Sequence, residues 1–247
     1  MKLQDTMARG QVYAMLSAAW LEAPHPGLIA AVADHNVLDW FGAALGADAV
    51  ACLRSLPEQA LDQATLARLF DELFRVPGGR FVSPFESTWF DIYQDDRGRE
   101  RRRLMGPSAR NVALFFDAAG CELNDLQACG AMPDHIAAEL DFMHHLCERA
   151  LAAADAGDSE QVRELEVLQA RFVREHLNVW LGSFATATAE AAPDSFYDGV
   201  ARLTAAFVAW DAAHGVACID PGARLTQSTA GTGRRSGQAR APVCPTG

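Results

Sequence analysis

The sequence predicts an all-α protein, a helical bundle of about ten helices in two halves joined by a hinge. Three observations predict it. Wherever apolar residues recur with a clear period, the spacing is helical, and no convincing alternating run appears. Pro, Gly and Asp punctuate those windows at positions that start or stop helices. Half of the 247 residues are hydrophobic, enough for a sizeable core.

In chain order, residues 6–22 carry Val12, Leu16, Trp20 and Leu21 on one face, with Met15 and Ala19 beside them, before Pro24, Pro26 and Gly27 stop the helix. Short helical stretches follow at 28–34, 37–45 and 47–55. Leu66, Leu69, Phe70 and Leu73 mark a further amphipathic helix, which ends at Pro77-Gly78-Gly79. Residues 80–95 read as an irregular loop, and 81–90 hold four aromatic residues. Buried backbone needs hydrogen-bond partners, so an aromatic loop is either tucked against the core or shaping a pocket. Arg97 to Arg103 contribute five arginines, expected in a solvated loop. A helix over 107–119 carries Val112, Phe115 and Phe116 and stops at Gly120.

Residues 121–132 read as a hinge, so 1–120 form an N-terminal half containing the aromatic loop and 133–215 a C-terminal half. The second half opens on a helix from 133 to about 154. Pro133 suits its first turn, Asp134 and Glu139 lie near the positive end of its dipole, and Ile136, Leu140, Met143 and Cys147 form an apolar stripe. The next helix carries Val162, Leu165, Leu168, Phe172 and Leu177. The last begins at Pro193-Asp194-Ser195 and carries Val200, Leu203, Phe207 and Trp210. Residues 216–247, rich in Gly, Ser, Thr, Pro and Arg, read as a disordered tail.

Charge narrows the partners. The chain carries a net −11; without 216–247 it has 17 basic against 31 acidic residues, a net −14. Nucleic acid is therefore not expected as a partner. Residues 133–160 hold seven acids and one arginine. The six cysteines form no CxxC pair and read as reduced thiols. The N-terminus lacks a signal-peptide core, and no apolar run reaches the roughly 18 residues of a membrane span. These features together predict a soluble cytoplasmic protein.

No catalytic set is present: there is no GxGxxG, Walker A, HExxH or GxSxG sequence. Adjacent His144 and His145 point about 100° apart on a helix, so with Cys147 and His135 they make a poor metal site, and no metal is expected. Asp134 and Glu139 are five apart and Glu139 and Asp141 two apart, so neither pair lies along one helix face, which favours capping and solvation over acid–base chemistry. What remains is a surface made of an aromatic loop and a polar helix mouth. It suits a peptide with positive charge and an apolar segment.

Several segments resemble the TorD/DmsD/NarJ family. They are Ser83-Pro84-Phe85-Glu86-Ser87, Leu104-Met105-Gly106, Phe116 with Ala119-Gly120, and Pro133-Asp134-His135-Ile136 with Glu139-Leu140 and Phe142-Met143. Phe172 to Phe184, with His176-Leu177 and Trp180, continues the pattern, so the similarity covers about residues 65–210 in consistent order. The sequence departs from the family where Gly182 replaces a proline after the tryptophan and where Thr88 precedes Trp89. The resemblance implies a TorD-like, all-helical cytoplasmic chaperone, not an enzyme, with no cofactor of its own. Its partner would be the apo form of a molybdenum enzyme of the dimethyl sulfoxide reductase type, often bound through a twin-arginine leader until the molybdopterin cofactor is inserted. Some relatives bind guanine nucleotides and some form domain-swapped dimers, so a monomer and a dimer both stay open.

By similarity, Pro84, Phe85, Glu86 and Ser87 fall on the family's conserved loop, and Asp134 and His135 on a motif implicated in leader binding. Arginine favours planar carboxylate partners. The expected peptide site is therefore Pro84, Phe85, Glu86, Ser87, Trp89, Pro133, Asp134, His135 and Glu139. In it Asp134 and Glu139 meet the two arginines, while Phe85 and Trp89 flank the apolar stretch. Two alternatives stay open. One is a NarJ-like chaperone that binds the enzyme body without a leader. The other is a small nucleotide-binding enzyme using Asp134 and His135.

Overall fold

Helices begin where the sequence supplies an acceptor for the free N–H groups of a first turn. In the computed structural model, which describes residues 5–122 and 132–215, Asp5 caps α1 (Thr6–Leu21) and His25 caps α2 (Pro26–Ala33). Asp34 caps α3 (His35–Leu45), which ends at Gly46 with φ 98°, and α4 (Asp48–Arg54) follows. A 3₁₀ turn at Glu58–Leu61 leads to α5 (Gln63–Phe70), capped by Asp62 and continued by a π-helical turn over Asp71–Arg75. The one-turn α6 (Ser87–Phe90) precedes β1 (Ile92–Gln94) and β2 (Glu100–Arg102), and then come α7 (Pro107–Ala119) and its left-handed stop at Gly120. After the undescribed stretch come α8 (Ile136–Asp155) and α9 (Ser159–Phe172). A π-helical turn over Val173–Leu177 leads into α10 (Asn178–Ala191), and α11 (Phe196–His214), capped by Ser195, closes the described chain.

This is the expected all-α bundle, and the expected helices are found within a few residues of their predicted bounds. Most of the hinge expected over 121–132, and all of the tail expected over 216–247, lie outside the described residues. Three local expectations are corrected. The aromatic loop contains a helical turn, α6, and ends in a strand. The arginine run forms the other strand of a hairpin in which Ile92 pairs with Arg102 and Gln94 with Glu100. Every residue of both strands is exposed, so no inside–outside alternation marks them in the sequence. The helix expected from Pro133 begins only at Ile136, with His135 as its cap.

The core is organised around α8. Ile136 to Met143 are all buried, the acids included, so this half of α8 has no solvated face. α1 runs against it: Ser17 Oγ donates to the Ala137 carbonyl at 2.9 Å, and a Cβ on Gly10 would come within 3.1 Å of Cys147 Cβ. Phe116 of α7 and Phe172 of α9 close on Phe142 at centroid distances of 4.4 and 4.9 Å. α11 is tied to α1 by a buried network. Arg9 binds Asp211 through two hydrogen bonds of 2.6 and 2.9 Å, and Tyr13 donates to the same carboxylate at 2.6 Å. Burial alone would lower the Arg9 guanidinium, and the adjacent Asp211 more than offsets it. Residues of both sequence halves therefore share one hydrophobic core.

Candidate functional site

The loop at 83–87 and the turn at 132–136 are sewn together by backbone. Glu86 N–H donates to the Asp134 carbonyl and Ile136 N–H to the Pro84 carbonyl, each at 2.9 Å, which makes an antiparallel bridge between Phe85 and His135. Asp134 Oδ2 takes the Ser87 N–H at 3.0 Å. Asp134 thus caps α6 across the seam, and His135 is left to cap α8, its Nδ1 accepting the Ala137 N–H at 3.2 Å. This accompanies the late start of α8: the Asp134 carbonyl and Oδ2 both bond back to the loop. The cap role also requires Nδ1 to be unprotonated, and burial lowers the His135 pKa to about 4.

Behind the seam lies a buried polar cluster. Glu86, Ser87, Asp134 and Glu139 have 3, 0, 0 and 0% exposure, so the expectation of solvated acids fails for Asp134 and Glu139, and Asp141 is buried as well. Glu86 Oε2 meets His176 Nδ1 at 2.8 Å, and Trp180 Nε1 donates to Glu139 Oε2 at 3.2 Å. His176 stands on the π-helical turn, with its ring against Phe115 and Phe172 at 5.0 and 5.1 Å. π-helical turns insert an extra residue and recur at functional positions. Three oxygens, Ser87 Oγ, Asp134 Oδ1 and Glu139 Oε1, have no hydrogen-bond partner among the described residues. Burial, then the Glu86 charge, then Asp134 push the Glu139 carboxyl well above its usual range, against the lowering pull of Trp180.

The outer parts of the site are less buried. The Phe85 and His135 rings meet edge to face at 5.0 Å, and both residues, like Pro133, are half-buried, whereas Pro84 is buried. Trp89 is half-buried: its Nε1 donates to the Ser83 carbonyl at 3.1 Å, and Arg102 stacks over its ring at 5.4 Å. Trp89 also lies 6.4 Å from Trp180. All nine sequence-derived residues therefore fall on one seam, in two layers. Phe85 and His135 form a half-buried aromatic mouth, Trp89 and Pro133 are half-buried as well, and Pro84, Glu86, Ser87, Asp134 and Glu139 are buried. His176 and Trp180 complete the lower layer without having been singled out as site residues. The signal was the Phe172–Phe184 segment of the family resemblance, which contains both.

Among the described residues, Cys52, Asp194 and Asp198 bring potential metal-ligand atoms within 4.8 Å of one another. Asp198 is already bound by Arg202 at 2.6 Å and by the Asp194 N–H at 3.1 Å, and burial first, then the Asp198 charge, push the Cys52 thiol up to about 11. The cluster lies at the first turn of α11, where Ser195 is the cap and Asp198 takes the Asp194 N–H. No helix among the described residues is long and apolar enough to cross a membrane.

The nitrate reductase delta subunit family model matches residues 40–186. The chaperone protein TorD of Vibrio cholerae is 28% identical over 162 residues, 66% of this chain and 67% of its own. TorD of Shewanella pealeana is 27% identical over 223 residues, 83% and 88% of the two chains. TorD of Aeromonas salmonicida is 32% identical over 132 residues, 53% of this chain and 52% of its own. No solved structure matches the chain. The family match spans both the seam and the π-helical turn, and the relatives are chaperones; the chain belongs to the TorD/DmsD/NarJ family of chaperones.

Proposed function

We propose that this protein is a cytoplasmic chaperone that binds the apo form of a molybdenum enzyme of the dimethyl sulfoxide reductase type, including its twin-arginine leader. It holds that enzyme until the molybdopterin cofactor is inserted. The family supports a molybdoenzyme client. The observation that carries leader binding is the seam itself: an aromatic mouth, Phe85 with His135, over buried carboxylates with unpartnered oxygens. An arginine side chain brings several N–H donors to such acceptors. Entry of the guanidinium parts the mouth, because Asp134 and Glu139 are buried in the closed form.

Calorimetry with a leader peptide tests this. Folded Phe85→Ala and Asp134→Asn variants are expected to lose at least tenfold in affinity. Wild-type affinity in both would move the leader site elsewhere.

A second contact, with the enzyme body, is favoured by the hairpin. It exposes Ile92, Tyr93, Leu104 and Met105 beside five arginines. Co-purification of a leader-deleted client would support that contact, and loss of the client would leave the leader as the main handle.

A further inference from the structure

The buried cluster contains more acid than its neighbours neutralise. Glu139 is enclosed by Glu86 from the loop, Asp134 from the turn and Trp180 from α10, with His176 of the π-helical turn behind Glu86. His135 faces the same seam as a neutral ring, because its Nδ1 is occupied as an acceptor. His176 Nδ1 lies 2.8 Å from Glu86 Oε2 and does not reach Glu139. Two carboxylates meeting in a water-poor site cannot both stay charged without a large desolvation cost. Glu139 is fully buried, its Oε2 takes the Trp180 indole N–H, and its Oε1 has no donor among the described residues. A buried carboxyl with one neutral donor and no cation on either oxygen is held more cheaply protonated than charged.

We propose that Glu139 stores one proton in the free protein and releases it when a guanidinium of the leader enters. The inference rests on the leader-binding reading above and adds its regulation. One positive charge leaves as another arrives: the proton goes from the Glu139 carboxyl to solvent, and the guanidinium donates to the carboxylate left behind. The unpartnered Asp134 Oδ1 and Ser87 Oγ are further acceptors for the same cation. The net charge of the cluster is thus the same in both states, and leader affinity rises with pH. The seam is a cation site in whose unliganded form a proton stands in for the cation.

The test is calorimetry of a twin-arginine peptide in two buffers of different ionisation enthalpy at neutral pH. The difference in apparent heat gives the protons exchanged. Wild-type protein is expected to release about one proton per peptide, and a folded Glu139→Gln variant close to none while still binding. Binding with no net proton release by wild type, or equal release by the variant, overturns the proposal and leaves leader binding intact.

If no peptide binds, the leader reading and the exchange both fail. The stored proton is then read separately, in the infrared difference spectrum of wild type minus Glu139→Gln. A protonated carboxyl band assigned to Glu139 at neutral pH is expected. Its absence overturns the stored proton as well.

Discussion

Asp134 accepts the backbone N–H of Ser87, 47 residues upstream, at 3.0 Å, so a residue beside one helix caps another. The relationship separates fold from binding. Asp134→Ala removes the cap and buries an unpaired N–H, which costs about 2 kcal/mol. Asp134→Asn keeps an acceptor and should recover most of that loss without recovering affinity for a cationic peptide. Urea unfolding of both variants, set beside peptide titrations, reads the two effects apart.

Glu139→Gln should be close to neutral in stability in the acid range and gain on wild type as pH rises. A carboxyl with a raised folded pKa contributes stability that is full below its unfolded value, near 4.5, and is lost as pH climbs through the raised one. Glutamine does not titrate, so the variant lacks that loss. Melting temperatures taken from pH 4.5 upward check the sign. Glu139→Ala, by contrast, leaves Trp180 Nε1 without its acceptor and opens a cavity, and should cost about 2–4 kcal/mol at every pH.

His135 gives the opposite slope at lower pH. Its pKa falls from 6.5 to about 4 on folding, because burial disfavours the charged ring. The neutral form is favoured in the fold, so its stability contribution is full above 6.5 and is lost as pH falls towards 4. The loss is on the order of 3 kcal/mol. His135→Asn retains a capping acceptor and does not titrate, so its stability curve should be flatter between those values. Equal acid sensitivity in variant and wild type would show that the ring does not set it.

Asp211→Ala should destabilise the fold by about 3–5 kcal/mol, since it leaves the Arg9 guanidinium buried and unpaired. Tyr13 loses its acceptor in the same step. The double variant Arg9→Met with Asp211→Leu should recover much of the loss, because the uncompensated charge is gone. Thermal unfolding of the two proteins compares them directly.

The helices were legible because their boundary signals are local. Asp34, Asp62, Asp158 and Ser195 each reach a first-turn N–H two to four residues ahead, and Gly120 adopts the left-handed stop its position suggests. The site was legible in its membership and not in its depth. Asp134 and Glu139 do not share a helix face, yet they meet because Asp134 stands before the helix, in a turn held by the loop. Glu139 is buried by Glu86 and Trp180, which lie far away in sequence, and spacing along α8 cannot show that. The π-helical turn that presents His176 leaves no pattern either, since Leu168, Phe172 and Leu177 still read as a helical stripe.

The exposed hairpin carries a consequence for the chain's own colloidal behaviour. A two-stranded sheet leaves backbone donors and acceptors open along both outer edges, and open edges invite pairing with the same edge of another molecule. Here Arg97, Arg99, Arg101, Arg102 and Arg103 line that ribbon and its turn. Two such ribbons brought edge to edge would place like charges against one another. The arginines act as gatekeepers, and replacing them with threonine or valine should turn a soluble arm into an aggregation-prone one, visible as salt-independent growth in light scattering.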